Sequence, residues 1–304
     1  MHHVVRTESL VKRFGSVEAL RGLEVEVPEH SVYALVGPNG AGKTTAIKIA
    51  MNILRPTSGR TEVLGTDSRV LAGDAFDAIG YVSENQELPD WMRVGDFLGH
   101  VRHFYPAWDR NLETELVRQF DLPLGRKLKL LSRGMRMKTA LASSLAYHPK
   151  LIVLDEPFSG LDPLVRDELI RSLAERAPGA TVFVSSHDLA EIESFATHVG
   201  YLHKGTLLFS EELATLSGRF REVEIVLQSS QPASDHWPST WMQIDVLQGR
   251  VRFVESQFDA DLTPQRIRTI FGEVGGVTYR PMPLRSIFVA IARTHGVPSE
   301  QERP

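Results

Sequence analysis

The segment Gly37–Thr44 constrains this chain more than any other, because it fits the pattern G-x-x-x-x-G-K-[ST]. A short run of β-branched and apolar residues, Val32–Val36, precedes it and predicts a buried strand. Apolar residues recur at helical spacing from Lys43 onward, so a helix is expected to follow. Glycines lack a Cβ, and the loop can therefore turn its backbone N–H groups toward a phosphate at the helix N-terminus. The segment predicts a nucleotide-binding loop.

The side chains that end this loop indicate what it binds. Lys43 is expected to reach the β- and γ-phosphates of the nucleotide, and the hydroxyl of Thr44 is expected to coordinate Mg²⁺. A turn that needed glycines only for tightness would not require a lysine and a threonine after the last glycine. We therefore expect the loop to bind a nucleoside triphosphate together with magnesium.

The composition of the whole chain limits the remaining possibilities. Its 304 residues are enough for one large domain or two unequal ones. Lys and Arg number 34 and Asp and Glu number 38, and the net charge of −4 does not indicate a nucleic-acid partner. Cysteine is absent, which excludes disulfides and thiolate metal sites. No apolar run approaches the roughly 18–20 residues of a membrane helix, and no secretory signal is recognisable, so we expect a cytoplasmic protein.

Two further polar clusters follow predicted strands. The apolar run Leu151–Leu154 ends in Asp155 and Glu156, which is typical of a buried parallel strand with carboxylates at its C-terminal end. Buried acids are costly without a partner, and a metal ion beside the phosphate loop would provide one. The apolar run Thr181–Val184 is followed closely by His187. A lone histidine at a strand end is more often structural, but a third polar cluster on one sheet edge favours a functional role.

Two other residues each have two possible roles. Phe14 lies in a predicted turn between the paired strands Val4–Leu10 and Leu23–Val27, where it either fills the core or stacks on an adenine ring. Ser132 precedes a predicted helix over 136–147, where it is expected to act as an N-cap. An N-cap serine beside a glycine is also an anion site, so the two roles of Ser132 are compatible.

The order of predicted elements divides the chain into regions. The block 85–130 is mainly helical, and a hairpin over Gly200–Leu208 closes the first domain. Strands and helices after residue 218 predict a small α+β domain that contains a polar loop at 230–240 and ends in a frayed tail. This domain contains no recognisable chemical motif, and a clamp, a dimerisation surface and a regulatory lid remain open as its role.

Taken together, the clusters resemble the nucleotide-binding subunit of an ABC transporter, over roughly residues 3–215. The motifs occur in the order of that family: A-loop aromatic Phe14, Walker A Gly37–Thr45, Q-loop Glu84, signature Leu131–Met135, Walker B Asp155 with catalytic Glu156, D-loop Ser159–Asp162 and switch His187. The family usually has glutamine at the position of Glu84, and Arg133 and Met135 depart from the signature LSGGQ. The resemblance implies an α/β fold with a P-loop NTPase core over 1–218. This core has a mixed sheet, an antiparallel β subdomain and a helical subdomain at about 85–150, and the accessory α+β domain follows at 219–304.

The resemblance also implies how the chain works. Two copies, or one copy and a related ATPase subunit, would close head to tail around two molecules of ATP with Mg²⁺. Glu156, His187 and Lys43 would be the catalytic residues, and Thr44, Glu84 and Asp155 would hold the metal. ATP would contact Phe14, Gly37, Asn39, Gly40, Ala41, Gly42, Lys43, Thr44 and Thr45 of one chain and Ser132 and Gly134 of the other.

Finer features resemble the type-2 ABC exporter ATPases: Glu84 itself, the segment Phe104–Asp109, the LS-x-GM signature and the ending Leu284–Ala292. In that group the ATPase works with a separate integral membrane permease subunit, and the chain would lie on the inner face of the cell membrane. The helical block at 85–130 would dock the permease. The residues suggested to line a docking groove on it are Trp91, Met92, Phe97 and Trp108. Under the alternative interpretation, these side chains pack in the core.

Two other functions compete with the exporter hypothesis. A soluble ABC ATPase of DNA repair would carry a long coiled-coil insertion, and no sustained heptad run occurs here. A ribosome-acting member would resemble two cassettes in one chain, and only one phosphate loop is present. A regulatory module with an inactive site would lack the catalytic pair, whereas Glu156 and His187 are both present.

Overall fold

A computed structural model of the chain describes residues 2–84, 86–176, 179–228, 237–247 and 249–294. The chain forms two compact units, Met1–Ser210 and Glu211–Pro304. The domain boundary expected from the sequence lies a few residues later, between 218 and 219, toward the end of a short helix that belongs to the smaller unit.

The strands of the larger unit are β1 (His3–Phe14), β2 (Val17–Leu23), β3 (Glu26–Pro28), β4 (Val32–Val36), β5 (Ser58–Val63), β6 (Thr66–Asp67), β7 (Ile79–Ser83), β8 (Leu151–Asp155), β9 (Thr181–Ser186), β10 (His198–His203) and β11 (Thr206–Glu212). Its α-helices are α1 (Lys43–Ala50), α2 (Val94–Arg102), α3 (Arg110–Gln119), α4 (Arg133–Leu145), α5 (Pro163–Arg176) and α6 (Leu189–Ile192), and short 3₁₀ turns occupy 68–70, 73–78 and 128–130. No helix formed by the described part of the chain has both the length and the apolar composition that crossing a membrane requires.

The central sheet has six strands in the order β11-β10-β4-β9-β8-β7, and the pairs from β10 to β7 are parallel. Strands β4, β8 and β9 are buried along their whole length, which explains their continuous apolar sequences. The register pairs Ser83 with Asp155, Asp155 with Ser185, and Val36 with Ser186. The polar clusters that follow these strands therefore meet at one edge of the sheet, as the sequence predicts.

A second, antiparallel sheet packs on the same core. Its order is β2-β1-β5-β6, and β3 pairs with β1. Helix α1 contributes Ile47 and Ile49 to a buried cluster that also contains Leu23 from the antiparallel sheet and Leu35 from β4. Both sheets consequently hold α1, and the loop before it, in a fixed position.

Helices dominate the connection from β7 to β8, and its described residues form no strand. The sequence predicts helix from Asp90, but α2 begins at Val94, because Arg93 has an extended backbone and forms a β-bridge with Lys127. The apolar spacing predicts that the helix after Lys43 continues to Leu54, but α1 ends at Ala50, and Asn52 takes a left-handed conformation with φ 54°.

The smaller unit is an α+β fold, as expected. Its strands β12 (Arg221–Leu227), β13 (Trp241–Leu247), β14 (Arg250–Glu255) and β15 (Val274–Pro281) form an antiparallel sheet in the order β13-β14-β12-β15. The helices are α7 (Leu213–Arg219), α8 (Leu262–Phe271) and α9 (Leu284–Thr294). Trp241 stacks on Phe253 with ring centroids 3.8 Å apart and on Phe271 at 6.0 Å, and these rings form much of the core. Most of the predicted loop at 230–240 and the predicted frayed tail lie outside the described residues.

Candidate nucleotide-binding and catalytic site

The loop between β4 and α1 is held by close backbone contacts at two glycines. A Cβ on Gly37 would lie 2.1 Å from the carbonyl oxygen of Leu202. Gly42 has φ 112°, and a Cβ there would lie 2.7 Å from the carbonyl oxygen of Ala19. Any side chain at either position would collide with backbone, and an L-residue at position 42 would also be strained. No side chain caps α1, so its first N–H groups are available to an anion.

A cavity of about 520 Å³ opens over this loop. Its size lies within the roughly 300–1,000 Å³ that is typical of small-molecule sites. Most residues of the predicted phosphate loop line it. Glu84, Glu156 and His187, each of which follows a different strand, line it as well. The lining residues are Ala19, Asn39, Gly40, Ala41, Gly42, Lys43, Thr44, Thr45, Glu84, Glu156, Ser159 and His187.

Lys43 is the buried cation of this cavity, with its side chain 4% exposed. Its Nζ donates to the carbonyl oxygens of Gly37 at 2.6 Å and Pro38 at 3.2 Å, and it lies 3.0 Å from Oε1 of Glu156. The loop carbonyls and the carboxylate together fix the ammonium group at the base of the loop. An anion that enters the cavity therefore meets a positioned and largely desolvated charge.

Glu156 joins this lysine to the histidine. Its Oε2 lies 2.7 Å from Nδ1 of His187, and the carboxylate only accepts, so the proton lies on Nδ1. The hydrogen bond that His187 donates to Glu156 raises the pKa of His187 above its ordinary value, and burial opposes this effect. Glu156 also has φ 52°, an uncommon conformation for a residue other than glycine that is often found at functional sites. The structure thus brings the three predicted catalytic residues into one chain of contacts.

Asp155 lies below the cavity, at the end of β8. Its Oδ1 accepts from the Thr44 hydroxyl at 3.0 Å and from the Ser185 hydroxyl at 2.7 Å. Burial raises the pKa of Asp155, and these two hydrogen bonds lower it in part. A hydroxyl and a carboxylate side by side, beside the cavity, are suitable ligands for Mg²⁺, which keeps waters and phosphate oxygens as its other ligands. The residues Thr44 and Asp155 therefore fit this ion.

Ser185 is a residue of the site that no sequence motif identifies. Besides donating to Asp155, its hydroxyl accepts from the backbone N–H of Glu156 at 2.9 Å. It thereby joins the carboxylate of Asp155 to the backbone of Glu156. The signal that identifies it is the parallel register, in which Ser185 lies directly opposite Asp155.

Glu84, the third predicted metal ligand, has a different partner. Its backbone N–H donates to the carbonyl of Asp155 at 2.9 Å, but its carboxylate forms an ion pair with Arg133. Within the described residues, no group of three His, Asp or Glu side chains could hold a metal ion by itself. The metal-binding role of Glu84 remains a prediction.

Four predicted nucleotide contacts do not line the cavity of this single chain: Gly37, at the start of the loop, and Phe14, Ser132 and Gly134. Phe14 is the last residue of β1 rather than part of the turn, is 48% exposed, and has the ammonium of Lys12 at 5.0 Å from its ring centre. Ser132 is the N-cap of α4 and accepts from the N–H of Met135 at 3.3 Å. Gly134 packs against Val165, and a Cβ there would lie 3.0 Å from Cγ1 of that side chain.

Comparison with known proteins connects this geometry to a family. The family profile described as ABC transporter matches residues 20–159. The bacitracin transport ATP-binding protein BcrA of Bacillus licheniformis is 33% identical over 218 residues, which cover 68% of this chain and 69% of that protein. The daunorubicin resistance ATP-binding protein DrrA3 of Streptomyces coeruleorubidus is 32% identical over 237 residues, which cover 74% of each chain. An uncharacterised ABC transporter ATP-binding protein of Synechocystis is 33% identical over 227 residues, which cover 71% of this chain and 62% of that protein.

Solved structures agree on the fold. An ATP-binding subunit of an ABC transporter matches with a TM-score of 0.64 at 24% identity, over 71% of this chain and 92% of that chain. A dimeric ATP-binding cassette in a post-hydrolysis state with ADP and Pi matches with a TM-score of 0.62 at 24% identity, over 69% of this chain and 98% of that chain. These likenesses confirm the expected P-loop cassette fold. On the strength of its sequence relatives, the chain belongs to the family of ABC transporter ATP-binding proteins, the ATP-hydrolysing subunits of ABC transporters.

Proposed function

We propose that this chain hydrolyses ATP in a head-to-tail dimer and thereby drives substrate export through a separate membrane subunit. The observation that carries this proposal is the chain of contacts from Lys43 through Glu156 to His187 on the wall of one cavity. Lys43 offers a cation for the phosphates, Glu156 offers a carboxylate for the attacking water, and His187 holds that carboxylate. This set of groups is suited to phosphoryl transfer to water.

The side chains divide the work as follows. When ATP enters, its γ-phosphate competes with Glu156 for the ammonium group of Lys43 and takes over part of that contact. The released carboxylate can then accept a proton from the attacking water, while its other oxygen stays bonded to His187. Lys43 and the loop N–H groups stabilise the negative charge of the transferring phosphoryl group.

Thr44 and Asp155 would hold Mg²⁺, and Glu84 is a third candidate. The ion would supply positive charge that neutralises the phosphate oxygens. Ser185 and Thr44 keep the Asp155 carboxylate oriented toward the cavity by their hydrogen bonds to its Oδ1.

Dimer formation would complete the nucleotide site. Ser132 and Gly134 do not line the cavity of their own chain, whereas the resemblance assigns them to the nucleotide. A head-to-tail pair would resolve this difference, because the start of α4 in one copy would face the cavity of the other. ATP would favour closure, since the γ-phosphate adds negative charge that only the closed pair surrounds with donors. The solved post-hydrolysis cassette with ADP and Pi is described as dimeric, which supports this arrangement.

The membrane partner is inferred from the relatives and from one surface. BcrA is named for bacitracin transport and DrrA3 for daunorubicin resistance, which supports an export function and a position at the inner face of the membrane. Among the residues suggested for a docking groove, Trp91 is 71% exposed, whereas Phe97 is buried. Trp108 is half-buried and donates through Nε1 to Glu113 at 2.7 Å. We therefore assign Trp91 to the docking surface and Phe97 to the core.

Phosphate release from ATP by the purified full chain tests the enzymatic part of this proposal. The unmodified chain should release phosphate only when Mg²⁺ and ATP are both present. Lys43→Ala should weaken ATP binding, because it removes the buried cation of the loop. Lys138→Ala is a matched control, since Lys138 pairs with Glu168 at 2.6 Å and does not line the cavity. Absence of hydrolysis would indicate a regulatory module, and an ATP dissociation constant unchanged by Lys43→Ala would contradict the assignment of the loop.

Purification of the tagged chain from detergent-solubilised membranes tests the transport part. We expect a multi-spanning membrane protein to co-purify, and Trp91→Ala should reduce its recovery while leaving phosphate release intact. Recovery of ribosomes or DNA-repair proteins without any membrane protein would favour a soluble ABC ATPase instead.

A further inference from the structure

The ion pair between Arg133 and Glu84 joins two loops that carry separate motifs. Arg133 is the first residue of α4, and Glu84 follows β7. Both residues are charged at positions where the general pattern of the ABC family has an uncharged residue, glycine at 133 and glutamine at 84. The two departures are opposite in sign, and the fold brings their charged groups into direct contact.

Glu84 brings a negative charge to the nucleotide cavity. Its backbone N–H is bonded to the carbonyl of Asp155, so the loop is attached to β8 and the side chain stays at the cavity wall. Glu156 lines the same wall, and Asp155 lies close beneath. An unpaired carboxylate at position 84 would therefore repel a triphosphate, because like charges at a partly dehydrated site cost binding free energy.

Arg133 is held where it can cancel this charge. Its guanidinium lies directly over Gly160, where a Cβ would come within 2.8 Å of Nη1. Gly160 has φ 64°, which glycine adopts without strain, and it follows Ser159 on the cavity wall. A larger residue at position 160 would displace the guanidinium, so the fold reserves space for Arg133 beside Glu84.

We propose that Arg133 is a positioning residue for nucleotide binding: it neutralises and orients the Glu84 carboxylate, so that the triphosphate meets one negative charge fewer in the cavity. This inference rests on the proposed function, since it concerns the same nucleotide. It differs from two other roles for Arg133, a direct contact with the nucleotide of a partner chain and a purely structural tie between loops.

A double-mutant cycle on the full chain separates these roles. ATP affinity is measured by equilibrium titration in the presence of EDTA, where the repulsion between the phosphates and an acid is not reduced by metal. Arg133→Ala should weaken ATP binding about fivefold, the upper range for partly exposed charge pairs. In the Glu84→Gln background the same change should have almost no effect, and Arg133→Lys should retain most of the affinity.

Arg136→Ala is the matched control, because it removes another arginine from the first turn of α4. Arg136 pairs with Asp90 and the carbonyl of Leu128, away from the cavity, so ATP affinity should not change. If Arg133→Ala does not fold, Arg133→Gln repeats the cycle with a longer polar side chain.

The outcomes are distinct. Equal weakening in the unmodified and the Glu84→Gln backgrounds would show that Arg133 acts on the nucleotide itself, and no weakening would show a structural tie; either result overturns the proposal. Hydrolysis by the unmodified chain is measured separately. If the unmodified chain hydrolyses ATP but Arg133→Ala has the same effect in both backgrounds, only the role of Arg133 is refuted. If the unmodified chain binds ATP without hydrolysing it, the binding cycle still tests the role of Arg133.

Discussion

Glu156→Gln is the substitution that tests the candidate site most directly, because it keeps the size of the side chain and removes its charge. In the structure, Oε1 of Glu156 lies 3.0 Å from Nζ of Lys43 and Oε2 lies 2.7 Å from Nδ1 of His187. Glutamine can preserve one of these contacts through its carbonyl oxygen. Its NH₂ group cannot accept a proton from water, so general-base catalysis is lost.

The size of the effect follows from this loss. General-base catalysis contributes about 10²–10⁴-fold in rate, or roughly 3–5 kcal/mol of barrier, and we expect turnover to fall by that factor. ATP binding should persist, because Lys43 keeps its contacts with the loop carbonyls and no longer has a negative partner that competes with the phosphates. The variant should therefore accumulate as an ATP-bound dimer.

Steady-state phosphate release and size-exclusion chromatography with ATP measure these two effects. Glu168→Gln is the control, since it makes the same chemical change in another lysine–glutamate pair, between Lys138 and Glu168, which does not line the cavity. The control should hydrolyse ATP at nearly the rate of the unmodified chain. A Glu156→Gln variant with unchanged turnover would refute the assignment of Glu156, and a variant that no longer binds ATP would refute the proposed competition for Lys43.

Three further predictions concern stability. Gly42→Ala should destabilise the chain by about 1–3 kcal/mol in thermal unfolding, because the new Cβ would collide with a backbone carbonyl 2.7 Å away, whereas Gly15→Ala, also at positive φ but with open space around it, should cost less. The pKa of His187 is raised in the folded state, so its stabilising effect is fully present below the unfolded pKa of about 6.5 and is lost as pH rises through the folded value. The difference in urea midpoint between the unmodified chain and His187→Ala should accordingly shrink at alkaline pH, and a constant difference would contradict this. Trp241→Ala removes a buried stacked ring and should lower the unfolding free energy of the smaller unit by about 3–5 kcal/mol; a loss below about 1 kcal/mol would refute its place in that core.

Local patterns were sufficient for most of the elements. The apolar runs of β4, β8 and β9 predict buried parallel strands, and their polar ends predict one functional edge, because parallel strands all end on the same side of a sheet. Short elements were not predicted. Helix α6 has only four residues and α7 only seven, too few turns for a hydrophobic period to be recognised.

Contacts between distant parts of the chain could not be predicted. The role of Ser185 depends on the strand register, and the pairing of Glu84 with Arg133 depends on how α4 packs, since 49 residues separate the two. In the sequence, these two residues are separate departures from the family pattern. Only the packed structure shows that their charges face each other.

The amino-acid sequence is sufficient to establish that a phosphate loop, an acidic pair and a histidine follow strands of one sheet, because each motif is a short segment that can be identified from the residues next to it. The folded chain was needed to show that Glu156 contacts both Lys43 and His187 within 3.0 Å. Such contacts depend on strand order and register, which are set by the burial of whole strands and helices together, and no short segment of the sequence contains that information.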